Sequence, residues 1–427
     1  MIQAINNSEI DERIRLNLKR LCEYPYYQKE QIFAPSDYDW YGDKEGRALL
    51  SFVSHYKISK TKIPAMDYLI SALADKVNEL GYLGPIYDNE IHEQQLSGHS
   101  WLLRGLCEYY EQFNDLSVIK HINEITDNLF IKNAGKFKGY PVDRSDVYEG
   151  DVSGSVSSKL SEWILSTDIG CAFMSVDGLS HVFKITKRND VRELVREMAE
   201  VYVSIDKVKL KAQTHCTLTC ARGLMRMYEE TGETFYLDCA KEIFRLYTEC
   251  GGMTLTYQNI NWWGRPDTWT EPCAVVDSLI LAAELYKATD DEKYRVYAAR
   301  IYHNGFATLQ RINGGAGTDS CVTSNGEHTL YAKMYEAYFC CTMRLAEGLW
   351  YISRNADLLY ATLNGEVRKN NGVYADGDII YAYVTGGAED YAEQFTEKDG
   401  VRLCPLVKYY KVPENIILKS KQQIVFP

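Results

Sequence analysis

The sequence predicts a mainly α-helical protein, six helical hairpins closed into an (α/α)6 barrel over residues 1–355, with a small or incomplete β-rich region over 356–427. Three observations predict it. Apolar residues recur at helical spacing from about Glu45 to Tyr351, one hairpin ending returns at an offset of 58 residues, and past Asn355 the text turns to short alternating runs.

The helical spacing is clearest in three segments. Gly98 to Phe113 sets Leu102, Leu103, Leu106, Cys107 and Tyr110 on one face before Asn114 and Asp115 end it. Cys216 to Glu230 repeats the design with Leu218, Leu224, Met225 and Tyr228, and Ala274 to Ala288 with Val275, Leu279, Ala282, Ala283 and Tyr286. Two of these helices close alike, in Met227-Tyr-Glu-Glu-Thr-Gly-Glu-Thr-Phe-Tyr236 and Leu285-Tyr-Lys-Ala-Thr-Asp-Asp-Glu-Lys-Tyr294, with weaker echoes after Tyr110 and Phe183. That period suits one two-helix unit with its connections, and roughly six units fill the helical stretch. An open solenoid has the same period; closure into a toroid is favoured because it leaves no end to cap and makes one central cavity. Runs such as Asp357 to Thr362 and Asp378 to Val384, with Asn-Gly and Asp-Gly turns, then predict β structure, and Asn415 to Phe426 adds a last β-rich run.

Composition narrows the function. The 427 residues are 46% hydrophobic and 25% charged, as in a soluble globular protein, and no apolar run approaches the roughly 20 residues that span a bilayer. Met1 to Arg15 is polar and acidic instead of a basic-then-apolar leader, which predicts a cytoplasmic chain starting at Met1. A net charge of −12 repels phosphate backbones, so nucleic acid is excluded as a partner. Twelve cysteines in a reducing compartment point to thiols used for packing, metal or catalysis. The 33 tyrosines suit stacking on sugar faces and equally suit filling a large helical core.

The strongest chemical constellation is Glu271-Pro-Cys273 at the head of one core helix and Cys340-Cys341 at the head of another. Zinc takes about four ligands from thiolate, imidazole and carboxylate, and these two anchored pairs supply four. Helix N-termini favour negative charge and so favour the thiolate. Ordinary packing cysteines and a first-turn carboxylate fit the same spacing.

Thr270-Glu-Pro-Cys-Ala-Val-Val-Asp277 and Tyr338-Phe-Cys-Cys-Thr-Met-Arg344 resemble the two signatures of glycoside hydrolase family 127, whose members include β-L-arabinofuranosidases. Glu45-Gly-Arg47, Gly81-Tyr-Leu-Gly84, Gly98-His-Ser100 and Thr214-His-Cys216 are similar too, so the resemblance covers most of residues 40–360. It implies an (α/α)6 barrel followed by β domains, zinc on Glu271, Cys273, Cys340 and Cys341, and Cys340 as the nucleophile of a retaining glycosidase acting on L-arabinofuranose or a related sugar. The chain departs from the family where a Gly-Glu-x-Phe stretch usually carries the acid. Gly251 to Asp267 holds no glutamate, and Asp267 is its one carboxylate, either a replacement acid or part of a turn. The resemblance places His99 and His215 in the sugar pocket, where a helix cap or a satisfied interior histidine is the other reading. Trp262 and Trp263 stack on sugar or pack, Asp168 binds substrate or caps a helix, and Cys216 with Cys220 packs in the core in preference to forming a second metal site. Two further readings stay open: a sugar epimerase or isomerase using histidines on the same barrel, and a carbohydrate-binding protein with a structural zinc.

Overall fold

The computed structural model describes residues 7–34, 40–144, 153–265, 267–321 and 335–360, together with four short strands between 367 and 412. The helices are α1 (Asn7–Leu21), α2 (Lys29–Ile32), α3 (Asp43–Ser59), α4 (Pro64–Leu73), α5 (Glu93–Phe113), α6 (Ser117–Ile125), α7 (Ser175–Thr186) and α8 (Asn189–Ser204). There follow α9 (Thr214–Thr231), α10 (Thr234–Glu249), α11 (Pro272–Thr289), α12 (Glu292–Arg300), α13 (Ala307–Leu309), α14 (Cys341–Arg354) and α15 (Ala356–Tyr360).

Helix α3 packs on α5, α5 on α7, α7 on α9, α9 on α11, α11 on α14, and α14 back on α3, so the contacts run in a closed circuit. A second set lies against these six: α4 on α3, α6 on α5, α8 on α7, α10 on α9, α12 on α11 and α1 on α14. Helices of the first set are buried almost all round, as α11 is from Pro272 to Ala283. They approach closely where side chains vanish. A Cβ on Gly46 of α3 would lie 2.1 Å from the Trp101 carbonyl carbon on α5, and one on Gly223 of α9 would lie 2.5 Å from the Val176 oxygen on α7.

The repeated hairpin ending has one physical form. Helices α3, α5, α7, α9 and α11 stop at Lys60, Asn114, Lys187, Gly232 and Asp290, each left-handed, and each donates its N–H to the carbonyl of an aromatic residue four positions back. Those residues are Tyr56, Tyr110, Phe183, Tyr228 and Tyr286. Thr186, Thr231 and Thr289, last in their helices, accept from the N–H two residues on and turn the chain into the next helix. The faint echoes after Tyr110 and Phe183 are therefore the same turn with different side chains.

The structure departs from the sequence expectation at two places. Inside the stretch read as continuous helices, β1 (Ile91–His92), β2 (Val156–Leu160) and β3 (Trp163–Ser166) form a small sheet in the order β1-β3-β2. β1 runs parallel to β3 (Ile91 opposite Trp163), and β2 is antiparallel to it (Leu160 opposite Trp163). The two-residue turn at Ser161 and Glu162 lacks the Asn-Gly or Asp-Gly signal that reveals a hairpin in sequence. The run from Asp357 begins as helix α15, not as a strand, because Leu358 and Leu359 both donate to the Asn355 carbonyl and Leu359 is buried. Beyond it, β4 (Val367–Arg368), β5 (Val373–Asp376), β6 (Ile379–Tyr383) and β7 (Tyr409–Val412) pair antiparallel in chain order, with Tyr374 opposite Tyr381 and Tyr381 opposite Lys411. The run from Asn415 to Phe426 lies outside the described residues. No described helix is long and apolar enough to cross a membrane.

Candidate functional site

The first turns of α3, α9, α11 and α14 open on a common cavity. Asp43 and Arg47 reach it from α3, Gln213 and His215 from the head of α9, Glu271 from the head of α11, and Cys340 with Cys341 from the head of α14. Trp40, Trp269 and Phe339 give it aromatic walls, and Asp168 lines it from the turn after β3.

Glu271 is the N-cap of α11 and Pro272 its first helical residue, which fixes the entry angle and puts Cys273 in the first turn. The Glu271 N–H donates to Asn259 Oδ1 at 2.8 Å, the Thr270 hydroxyl donates to the same oxygen, and Asn259 Nδ2 donates to Thr214. Cys340 is the N-cap of α14 and Cys341 its first residue. One donor atom from each of Glu271, Cys273, Cys340 and Cys341 lies within 4.8 Å of all the others. Cys340 Sγ is 3.3 Å and Cys273 Sγ 3.7 Å from Cys341 Sγ. A tetrahedral ion with metal–sulfur bonds of ~2.3 Å sets sulfurs ~3.8 Å apart, so these residues fit a metal ion of that geometry.

Arg47 places its Nη1 3.4 Å from Cys273 Sγ while pairing with Asp43 at 2.8 Å. Hydrogen bonds to Cys273 and Cys341, outweighing burial and aided by Arg47, hold the Cys340 thiol below the ordinary thiol range. Burial and the two neighbouring sulfurs push Cys341 up. The Arg47 guanidinium stacks on Trp101 at 4.1 Å, and Arg344 lies over the same indole at 4.4 Å.

Deeper in the helices lies a buried set of charges. Asp277 pairs with Arg222 at 2.9 Å and with Arg344; Glu347 pairs with Arg222 at 2.9 Å, Arg104 at 3.0 Å and Arg344; Asp177 pairs with Arg104 and Arg226, each at 2.9 Å. Each of these charges has an opposite partner at contact, which a buried charge needs. His215 joins this set to the cavity, with Nδ1 3.3 Å from Glu271 Oε1 and Nε2 3.4 Å from Asp277 Oδ2. Burial alone lowers an imidazole pKa, but the two carboxylates outweigh it and raise His215 to about 10.

Of the residues singled out in the sequence, Glu271, Cys273, Cys340, Cys341, His215 and Asp168 come together here. His99, Trp263 and Asp267 do not. His99 is fully buried, its Nε2 accepting from the Leu83 N–H at 3.0 Å and its Nδ1 bonding the Gln95 carbonyl at 2.8 Å, so it ties a loop to α5. Trp263 is fully buried in the core, and Trp262 donates its indole N–H to the Thr167 carbonyl at 3.1 Å. Asp267 is 43% exposed and grips Arg265 with both oxygens, at 3.2 and 2.9 Å. Cys216 donates to Gln213 at 2.7 Å and packs with Trp101 and Met174, while Cys220 lies in the main core. Sequence reasoning missed Asp43, Trp40 and Trp269, and saw Arg47 only as part of a resemblance. The Arg47–Asp43 spacing of four on a helix was the available signal.

No protein-family model matches the chain, and no curated protein matches it by sequence. Solved structures do. A beta-arabinofuranosidase of glycoside hydrolase family 127 matches 88% of this chain with a TM-score of 0.55 at 12% identity, and the chain spans 63% of that protein's length. A D-mannose isomerase matches 83% of the chain and 100% of its own, with a TM-score of 0.58 at 15% identity. A cellobiose 2-epimerase from Bacillus thermoamylovorans matches 82% of the chain and 100% of its own, with a TM-score of 0.54 at 14% identity. At such identities the likeness is one of fold. This mainly helical chain shares its fold with carbohydrate-processing enzymes, hydrolases and epimerases among them.

Proposed function

We propose that this protein is a retaining glycoside hydrolase of the family 127 type, with an (α/α)6 barrel over 1–355, that releases L-arabinofuranose or a related furanose using Cys340 as nucleophile. The observation that carries the reading is the Glu271, Cys273, Cys340 and Cys341 donor set, gathered within 4.8 Å beside a cavity that Cys340 and Cys341 line. Three sulfurs and one carboxylate suit zinc better than a hard cation. The bound ion supplies charge that keeps the cysteines deprotonated. The chain does the rest. Arg47 adds positive charge beside Cys273, the α14 N-terminus favours a thiolate at Cys340, and Trp40 and Trp269 offer faces for a sugar ring. Attack of the Cys340 sulfur on the anomeric carbon breaks the bond to the leaving oxygen, and water then displaces the sulfur, which returns the starting configuration.

The epimerase reading calls on two histidines, and of His99 and His215 only His215 lines the cavity. Metal analysis with an aryl-furanoside panel on wild type and Cys340→Ser tests the proposal. About one zinc per chain, and sugar release lost in the variant, is the expected result; cleavage that survives in metal-free protein or in Cys340→Ser rules it out.

A further inference from the structure

Resting on the hydrolase reading, we infer that Asp168 is the general acid and base of this site: it protonates the departing glycosidic oxygen and later takes the proton of the attacking water. Among the described residues three carboxylates line the cavity. Asp43 is paired with Arg47 at 2.8 Å, and Glu271 belongs to the metal donor set. Asp168 is the third, only 4% exposed, with no ion pair among the described residues. Its Oδ1 accepts from the Ser153 hydroxyl at 2.9 Å and its Oδ2 from the Gly154 N–H at 3.0 Å. Each oxygen keeps a further lone pair.

The turn that carries Asp168 is pinned on every side. Its own N–H donates to Ser166 Oγ at 3.1 Å, the neighbouring Thr167 carbonyl accepts from the Trp262 indole, and the Ile169 carbonyl accepts from the Gln213 N–H at 3.0 Å. Strand β3 itself is anchored to α5, where Glu93 accepts from the Ser166 N–H at 2.7 Å. A proton-transfer group needs such fixed placement.

Among the described residues, the ionisable groups that act electrostatically with Asp168 include Glu271 on α11, His215 and Cys216 on α9, and Cys171 just before α7. Burial is the largest influence and raises its carboxyl above the ordinary carboxylate range, against the opposing pull of Ser153, Gly154 and His215. A carboxyl that burial helps keep protonated, held on the cavity wall, is placed to donate a proton and take one back. The steps balance: the C–O bond breaks as the sulfur–carbon bond forms and the Asp168 proton goes to the leaving oxygen. Water then forms the new C–O bond, its proton goes to Asp168, and the electron pair returns to the Cys340 sulfur.

Asp168→Asn tests this with aryl furanosides of graded leaving ability. On the phenyl furanoside kcat falls by at least about 100-fold, whereas on the 2,4-dinitrophenyl furanoside, whose phenolate leaves unaided, the first step falls less than about tenfold. Azide then rescues turnover by replacing base-activated water. Equal losses on both substrates, or a rise in KM alone, overturn the assignment and leave the hydrolase reading standing; a wild type that cleaves neither substrate overturns both. Ser153→Ala gives a second measurement should the first variant not fold. Losing that donor favours the protonated acid, so the basic limb of kcat/KM moves up by about half a pH unit or more, and an unmoved limb overturns the assignment.

Discussion

Cys273 and Cys341 are 68 positions apart in the chain, yet their sulfurs lie 3.7 Å apart. Each stands in the first turn of its helix, and α11 packs directly against α14. The helix pair therefore brings these two sulfurs together. Cys341→Ser is expected to weaken zinc binding by more than about 100-fold, since even outer-shell changes cost about 10–100-fold. Competition with a chromophoric chelator measures this, and an unchanged affinity removes Cys341 from the ligands.

Arg104 is 2% exposed and contacts Asp177, Glu347 and Glu108 at 2.9, 3.0 and 3.1 Å. Arg104→Met leaves buried carboxylates short of a partner and is expected to cost about 3–5 kcal/mol. Urea unfolding reads the loss, and a cost under about 1 kcal/mol would mean that water reaches these groups.

Burial lowers His55 and His99 to about 4. Both are neutral folded and unfolded above the unfolded pKa of about 6.5; below it the unfolded chain takes up protons that the folded one refuses. Stability thus falls from about pH 6.5 to about pH 4, by about 3 kcal/mol for each histidine. His99→Gln should flatten this slope in unfolding curves taken across the range, and an unchanged slope would show that His99 does not contribute.

Gly46→Ala sets a methyl carbon 2.1 Å from the Trp101 backbone, where neither helix has a side chain to move aside. The expected cost is about 3 kcal/mol or more, visible as a fall in Tm. A variant of unchanged stability would mean that α3 and α5 sit further apart.

Asp267→Asn breaks the pair between a carboxylate that is 43% exposed and Arg265, whose side chain is only 4% exposed, at a position away from the cavity. Cleavage should stay within about fivefold of wild type. A loss as deep as that expected for Asp168→Asn would return the acid role to Asp267.

Much of this was legible in the sequence. The hairpin ending is a local event: a left-handed residue, a threonine hydroxyl before it and an aromatic carbonyl four back all lie within one turn, so Met227 to Tyr236 and Leu285 to Tyr294 carry the signal themselves. The two candidate donor pairs are local too, because Glu271 with Cys273, and Cys340 with Cys341, are set by a helix start. The β1-β3-β2 sheet was not legible, since β1 is two residues long and meets its partner some seventy positions on.

The sequence by itself determined the main helical hairpins, the turns that close them and the two local pairs, Glu271 with Cys273 and Cys340 with Cys341. Only the tertiary structure decided which polar residues face the cavity. Both histidines look alike in sequence, ahead of an apolar helical run, but His215 is the second residue of α9 and His99 the seventh of α5; both are enclosed, and His99 bonds a loop behind the wall while His215 lies between Glu271 and Asp277. Helical periodicity cannot separate them, because α5 and α9 are buried along most of their length, and burial alone does not tell the cavity side of a helix from its other packed sides. Asp168 and Asp267 divide in the same way: a pinned turn buries one beside the cavity, and solvent with Arg265 holds the other.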